Sequence, residues 1–103
     1  MKQEQLLEIP ENLVSLIRNL HPLIKTDIRN ALHLLTQNPL YGKPLKEELD
    51  GLRSYRIKKF RIICRIAVTP LKTLEIIAIG PRKNIYEETF KIISRERNKE
   101  KHK

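Results

Sequence analysis

The spacing of the hydrophobic residues changes from helical to alternating near Gly51. Before that point apolar residues recur every three or four positions in two segments, which predicts two amphipathic helices, the first starting at Pro10. His21-Pro22 separates the segments and Asn38-Pro39 follows the second, so an antiparallel helical hairpin is expected. The two apolar stripes consist of Leu13, Val14, Ile17 and Leu20 and of Ile24, Ile28, Leu32 and Leu35.

Beyond Gly51 apolar and polar residues alternate, which is typical of strands. In the first strand Tyr55 and Ile57 share one face, Arg56 and Lys58 share the other, and Lys59-Phe60 predicts a tight connection. The next strand has Ile62, Cys64, Ile66 and Val68 on one face and Arg61, Ile63 and Arg65 on the other. After a turn at Thr69–Lys72, Leu74–Ile79 predicts a third strand, and Gln5–Ile9 predicts a short strand ahead of the helices.

The C-terminal segment predicts one more helix. Tyr86, Phe90 and Ile93 lie at positions i, i+4 and i+7, so they are expected to form the apolar stripe by which this helix packs. From about residue 95 to residue 103 lysine and arginine alternate with glutamate, which predicts a solvated, frayed basic tail.

Helices followed by hairpin-linked strands indicate an α+β fold, with the helical hairpin on one face of a small twisted antiparallel sheet. The length of 103 residues fits a single domain. On this interpretation the opposite face of the sheet is free.

Positive charge is concentrated on the predicted strands. The formal net charge is +9, and no acidic residue occurs between Gly51 and Leu74. Cations fixed on a sheet form a basic surface that can hold a polyanion in one register, which favours a nucleic-acid ligand. The cations of this segment are Arg53, Arg56, Lys58, Lys59, Arg61 and Arg65.

Other classes of function have little support in the sequence. No apolar run approaches the roughly 20 residues that span a bilayer, and no secretory signal is evident, so a cytoplasmic protein without membrane contact is expected. Cys64 is the single cysteine, and the three histidines are scattered. Neither a metal site nor a phosphate-binding glycine loop is predicted, and no cofactor is expected.

The candidate chemistry therefore rests on arginine and tyrosine. Arg61 begins a strand directly after a turn, and Arg82 follows Gly80 at the end of the neighbouring strand. Arginine binds two phosphate oxygens at once and stays charged at any workable pH. Two alternatives remain open at this point: the arginines could pair with surface carboxylates, and Tyr86 could serve only to dock the last helix.

At these residues the chain resembles the RelE/ParE superfamily, the toxins of type II toxin–antitoxin pairs, and the RelE side more than the ParE side. The resemblance extends over about Gly42 to Tyr86. Its motifs are Gly42-Lys43-Pro44-Leu45, Leu49-Asp50-Gly51-Leu52, Ser54-Tyr55-Arg56-Ile57, Phe60-Arg61-Ile62-Ile63 and Ile79-Gly80-Pro81-Arg82, followed by Ile85-Tyr86.

The resemblance implies roles for individual residues. Arg61 and Arg82 correspond to the arginines that bind the scissile phosphate, and Tyr86 to a tyrosine used in proton transfer and base stacking. Arg56 and Lys58 correspond to strand cations that contact RNA, and Lys59 and Arg65 are expected to extend that surface. Pro81 stands where many relatives have histidine, and Cys64 stands where a tyrosine often ends the strand.

The resemblance further implies an endoribonuclease that cleaves messenger RNA in the ribosomal A site without metal. The 2′-hydroxyl attacks the adjacent phosphorus and leaves a 2′,3′-cyclic phosphate. A cognate acidic antitoxin would cover the basic groove, and the pair would bind operator DNA only as a complex. Two other functions fit the same fold: a ParE-like inhibitor of DNA gyrase that catalyses nothing, and a non-catalytic RNA-binding homologue.

Overall fold

The computed structural model describes the backbone of residues 6–68 and 72–101 and the side chains through residue 98. Short 3₁₀ turns at Pro39–Tyr41 and Glu47–Leu49 lie on either side of the second strand. In chain order the elements are β1 (Leu6–Glu8), α1 (Glu11–Arg18), α2 (Pro22–Gln37), β2 (Lys43–Pro44), β3 (Arg53–Ile57), β4 (Phe60–Ala67), β5 (Thr73–Pro81) and α3 (Arg82–Lys101).

The predicted helical hairpin is confirmed, and local chemistry fixes its ends. Pro10 caps α1, with its carbonyl accepting hydrogen bonds from the amides of Leu13 and Val14 at 3.0 and 3.1 Å. The Nδ1 atom of His21 accepts a hydrogen bond from the Leu23 amide at 3.2 Å, and Pro22 fills the first position of α2, where its missing N–H is not needed.

The strands form one sheet in the order β1-β5-β4-β3-β2. β1 runs parallel to β5, and the other neighbouring pairs are antiparallel. The short strand predicted over Gln5–Ile9 is present as Leu6–Glu8, while Gln5 lies outside the described residues. The sequence did not predict β2, because a strand of two residues is too short to show a period.

The helical hairpin packs on one face of the sheet around a core of aliphatic side chains. Ile28 and Leu35 of α2 meet Ile62 of β4 and Ile76 of β5, and all four are at most 1% exposed. Burial of each such side chain stabilises the fold by about 1.5–3 kcal/mol. The α+β class and the packing of the helical hairpin on one face of the sheet are therefore as predicted.

The expectation of a free opposite face is wrong, because α3 packs across it. The helix starts directly at the end of β5 without a linker and folds back over the sheet. A β-bulge helps: Ile63 pairs with Ala78 and Cys64 with Ile76, so Ile77 is an extra residue in β5. The core of this second layer contains Leu52, Ile63, Ile77, Ala78, Ile85 and Ile93.

The predicted packing stripe of α3 is right at Ile93 and wrong at Tyr86 and Phe90, where the buried residue lies one position earlier. Ile85, Thr89 and Ile93 are buried, whereas Tyr86 is 37% and Phe90 44% exposed. Thr89 can be buried because its hydroxyl donates a hydrogen bond to the Ile85 carbonyl at 2.7 Å. Tyr86 and Phe90 therefore lie on the flank of the helix.

The helix continues through much of the segment expected to be a frayed tail, as far as Lys101; residues 102 and 103 lie outside the described part. None of the helices within residues 6–68 and 72–101 has the length and apolar character that crossing a bilayer requires.

Candidate nucleic-acid interface

A row of cations crosses the sheet on the face that α3 covers only in part. Arg56 of β3 pairs directly with Arg61 of β4, which pairs in turn with Gly80 of β5. Directly paired residues point to the same side of a sheet, so the two guanidinium groups are neighbours. Gly80 completes the row without a side chain, and a Cβ there would lie 3.3 Å from Ile85 Cδ1 at the start of α3.

Arg82 is brought to this row by the abrupt start of α3. Its amide donates a hydrogen bond to the Lys59 carbonyl at 3.1 Å, which ties the first turn of the helix to the turn between β3 and β4. The first turn of α3 contains no acidic residue. The partial positive charge of the helix N-terminus therefore adds to the field of the arginines.

Tyr86 lies one helical turn beyond Arg82, and its hydroxyl is 3.4 Å from the hydroxyl of Ser54 on β3. The pKa of Tyr86 is lowered, first by the Ser54 hydrogen bond and then by a hydrogen bond from Arg61 and the charges of Arg61 and Arg82, although partial burial opposes the shift. The structure thus brings the three residues predicted to be catalytic into one electrostatic environment.

The arginines of this cluster have no acidic partners. Among the described residues Arg56, Arg61 and Arg82 form no ion pair. Arg56 Nε donates instead to the Lys58 carbonyl at 3.3 Å, and Arg61 Nη1 to the Phe60 carbonyl at 3.5 Å. Pairing with surface carboxylates, one of the alternatives left open by the sequence, does not account for them.

Arg65 does not join this cluster, contrary to the prediction that it shares a free basic face. Its Nε donates to Glu75 Oε1 at 2.7 Å and its Nη1 to Glu96 Oε2 at 3.1 Å. Burial acts to lower the pKa of Arg65, but the two carboxylates outweigh it and raise the pKa. The guanidinium of Arg65 therefore connects β4 to β5 and α3.

Lys58 also departs from the predicted face. The strand ends at Ile57, and Lys58 adopts a positive φ of 51° in the turn, so the alternation that would have placed it beside Arg56 stops. Its Nζ lies 2.8 Å from Asp27 Oδ2 on α2, on the side of the helical hairpin. Lys59, the other turn residue, is exposed beside the start of α3.

Sequence reasoning missed Lys43. This residue pairs with Ser54 across β2 and β3, so it lies in the row next to Arg56 and Arg61 and on the same face. It is exposed, at the edge of the described sheet. The sequence around Lys43 does not show on which face of the sheet its side chain lies, because β2 is too short for apolar and polar residues to alternate.

Cys64 and the scattered acidic residues are not part of the cluster. Cys64 is fully buried, and burial raises the pKa of its thiol to about 11 despite the nearby charge of Arg53. The thiol is therefore a neutral core group at physiological pH. Within the part of the chain that the structure describes, no group of three His, Cys, Asp or Glu side chains converges as a metal site requires.

The structure is thus a sheet between a helical hairpin and a terminal helix, with arginines that form no ion pair within the described residues beside a tyrosine. Residues 3–86 match the family model described as the ParE toxin of the type II toxin–antitoxin system parDE. The chain therefore belongs to the ParE/RelE superfamily of type II toxins, as the sequence motifs predicted. None of the curated proteins matches the sequence.

Among the solved structures that match the chain are a toxin–antitoxin complex and a free toxin. One is the toxin–antitoxin complex RelBE2 from Mycobacterium tuberculosis, with 26% identity, a TM-score of 0.67, and coverage of 78% of this chain and 100% of that chain. The other is a mutant of the E. coli toxin RelE in the free state, with 13% identity, a TM-score of 0.70, and coverage of 90% and 98%. The second likeness supports the fold alone.

Proposed function

We propose that this toxin is a metal-independent endoribonuclease that cleaves messenger RNA on the ribosome. The observation that carries the proposal is the position of Tyr86, whose hydroxyl is bonded to Ser54 and lies in the field of Arg61 and Arg82. An inhibitor that acts by binding alone does not require a phenol with a lowered pKa beside two unpaired arginines.

The reaction requires charge neutralisation and two proton transfers. The 2′-oxygen bonds to phosphorus while the bond to the 5′-oxygen breaks, which gives a 2′,3′-cyclic phosphate and a 5′-hydroxyl. Arg61 and Arg82 neutralise the phosphorane, the ionised Tyr86 oxygen accepts the proton of the 2′-hydroxyl, and water donates a proton to the 5′-oxygen as it leaves. An ordinary tyrosine has a pKa of about 10, so the lowered pKa increases the fraction of Tyr86 that is ionised and able to accept a proton. Ribosomal positioning of the message supplies the remaining acceleration.

The proposed partner in the resting state is a cognate acidic antitoxin. The similar RelBE2 structure is a toxin–antitoxin complex. An acidic segment complementary to Arg56, Arg61 and Arg82 would neutralise cations that have no acidic partners within the described residues. The resulting complex, rather than the toxin alone, would bind operator DNA.

A second candidate function is inhibition of DNA gyrase by binding. The observation in its favour is the family model itself, which is that of the ParE toxin. This function would use the same basic surface and would need no catalytic role for Tyr86.

Primer extension on a translated message with purified ribosomes, run beside a gyrase supercoiling assay, tests the proposal. The wild type should cut the message, and Arg61→Ala should slow cutting by about a hundredfold, or about 3 kcal/mol. Lys91→Ala, which removes an exposed cation elsewhere on α3, is the matched control and should cut normally. An uncut message together with inhibited supercoiling would establish the gyrase inhibitor instead.

A further inference from the structure

Two aromatic rings stand exposed in succession along one flank of α3. Tyr86 is 37% and Phe90 44% exposed, and residues four apart on a helix are side-chain neighbours. Ile85, Thr89 and Ile93 are the residues of α3 that are buried against the sheet, whereas nearly half of Phe90 is exposed to solvent on this flank.

The flank carries more positive than negative charge. At 100° per residue one stripe of the helix contains Lys83, Tyr86, Phe90, Ser94 and Arg97. Glu87 borders this stripe, three residues before Phe90, and its carboxylate pairs with Lys91, while Glu96 faces Arg65. A surface of flat rings and cations whose bordering carboxylate is paired suits a single-stranded nucleic acid, whose bases stack and whose phosphates are anionic.

The neighbouring edge of the sheet supplies a further cation. Lys43 is the direct cross-strand partner of Ser54, and the Ser54 hydroxyl contacts that of Tyr86. Lys43 is therefore on the same face as Tyr86, one strand farther out than Ser54. It lies on the side of Tyr86 away from Arg61, because β2 and β4 flank β3.

We infer that Phe90 and Lys43 form a second nucleotide subsite, adjacent to the one where Arg61 and Arg82 bind the scissile phosphate. Phe90 stacks on the base of the neighbouring nucleotide, and Lys43 binds the phosphate of that nucleotide. The inference rests on the proposed function, since it places both residues along the path of the substrate RNA.

Farther along α3 the surface is mixed in charge. Glu48, Asp50 and Glu96 line a cavity of about 250 Å³ together with Arg65 and Arg97. The three carboxylates outnumber the two guanidinium groups, so this cavity is a poorer site for a phosphate than the flank at Phe90.

The test uses a short single-stranded RNA that carries a 2′-O-methyl group at the scissile position and so cannot be cleaved. Binding is followed by NMR titration of the full-length toxin. Phe90→Ala should weaken binding about tenfold or more, and Phe90→Tyr should restore it, since one stacked base contributes that much. Lys43→Met should weaken binding and flatten its salt dependence by about one phosphate contact. Leu23→Ala and Arg95→Ala are exposed controls on other surfaces and should bind normally.

A second probe, abasic at the neighbouring nucleotide, separates stacking from a general loss of structure. Wild type and Phe90→Ala should bind the abasic RNA equally. If Phe90→Ala binds both probes like the wild type while Arg61→Ala loses them, the subsite is overturned and the proposed function stands. If Phe90→Ala weakens only binding of an acidic antitoxin peptide, Phe90 belongs to a protein interface and the subsite is overturned. If the wild type binds neither RNA and does not cut messages, both proposals fail.

Discussion

Arg56 and Arg61 are direct cross-strand partners on β3 and β4, and neither forms an ion pair within the described residues. Like charges placed directly opposite each other destabilise a sheet. On the proposed function, an RNA phosphate bound between the two guanidinium groups would offset this cost. The repulsion is therefore a measurable property of the site.

Arg56→Gln should stabilise the free toxin. Removing one charge of the pair is expected to raise the free energy of unfolding by about 0.2–1 kcal/mol at low salt. The gain should shrink at high salt, because the charges are at the surface and are screened. Urea unfolding at two salt concentrations measures both effects, with Arg95→Gln, an exposed cation on the outer side of α3, as a control. A variant no more stable than the wild type at low salt would mean that the two cations do not repel each other.

Arg65→Met should have the opposite effect, because the Arg65 guanidinium joins β4 to Glu75 and Glu96. The loss of hydrogen bonds to two carboxylates at a partly exposed site should destabilise the fold by about 1–2 kcal/mol. Binding of the toxin to RNA or ribosomes should not change. Thermal unfolding and a binding titration of the same variant test this. If the variant binds RNA more weakly but is as stable as the wild type, Arg65 contacts RNA, as the sequence predicted.

Much of the fold could be predicted because its signals are local. The helical hairpin follows from long apolar stripes that stop at His21-Pro22 and Asn38-Pro39. Strands β3 and β4 follow from strict alternation, and the positions of Arg61 and Arg82 follow from turns that begin or end strands. Each of these features depends on residues close together in the sequence.

The features that could not be predicted depend on contacts between residues that are far apart in the sequence. The sequence of α3 allows two alternative packing stripes, one formed by Ile85, Thr89 and Ile93 and the other by Tyr86, Phe90 and Ile93. The shape of the sheet at the β5 bulge and the internal hydrogen bond of Thr89 decide between them.

Two individual side-chain contacts could not be predicted for the same reason. Glu96 reaches Arg65 from 31 residues away. Lys58 turned to the other side of the sheet because its strand ended one residue early and Asp27 was available on α2.

Asp27→Asn tests whether Lys58 can reach RNA. The ion pair between Lys58 and Asp27 is partly exposed and should contribute less than about 1 kcal/mol to stability. Once released, the flexible Lys58 side chain should reach from the turn toward Arg56 and add one phosphate contact, which steepens the log–log salt slope of RNA binding by about 0.7. Lys58→Ala should remove this increment in the Asp27→Asn background and have little effect in the wild type. A flatter slope for Lys58→Ala alone would show that Lys58 contacts RNA despite Asp27.

The last prediction concerns the ionisation of Tyr86. Its pKa is lowered first by the Ser54 hydrogen bond, so Ser54→Ala should raise it toward the ordinary value of about 10 without removing a phosphate-binding arginine. NMR titration of tyrosine labelled with ¹³C in the ring measures the shift, and Tyr86→Phe identifies the resonance.

The sign of the effect follows from the direction of the shift. A lowered pKa stabilises the folded state fully above the unfolded pKa of about 10, and this contribution is lost as the pH falls through the folded pKa. Ser54→Ala should therefore lose stability through this ionisation at alkaline pH and not at neutral pH. If Tyr86 is the base, the rising limb of the cleavage rate against pH should move to higher pH by the same amount as the NMR pKa. A pKa that moves while the rate profile stays in place would remove Tyr86 from the proton transfer, even if Tyr86→Phe still binds RNA.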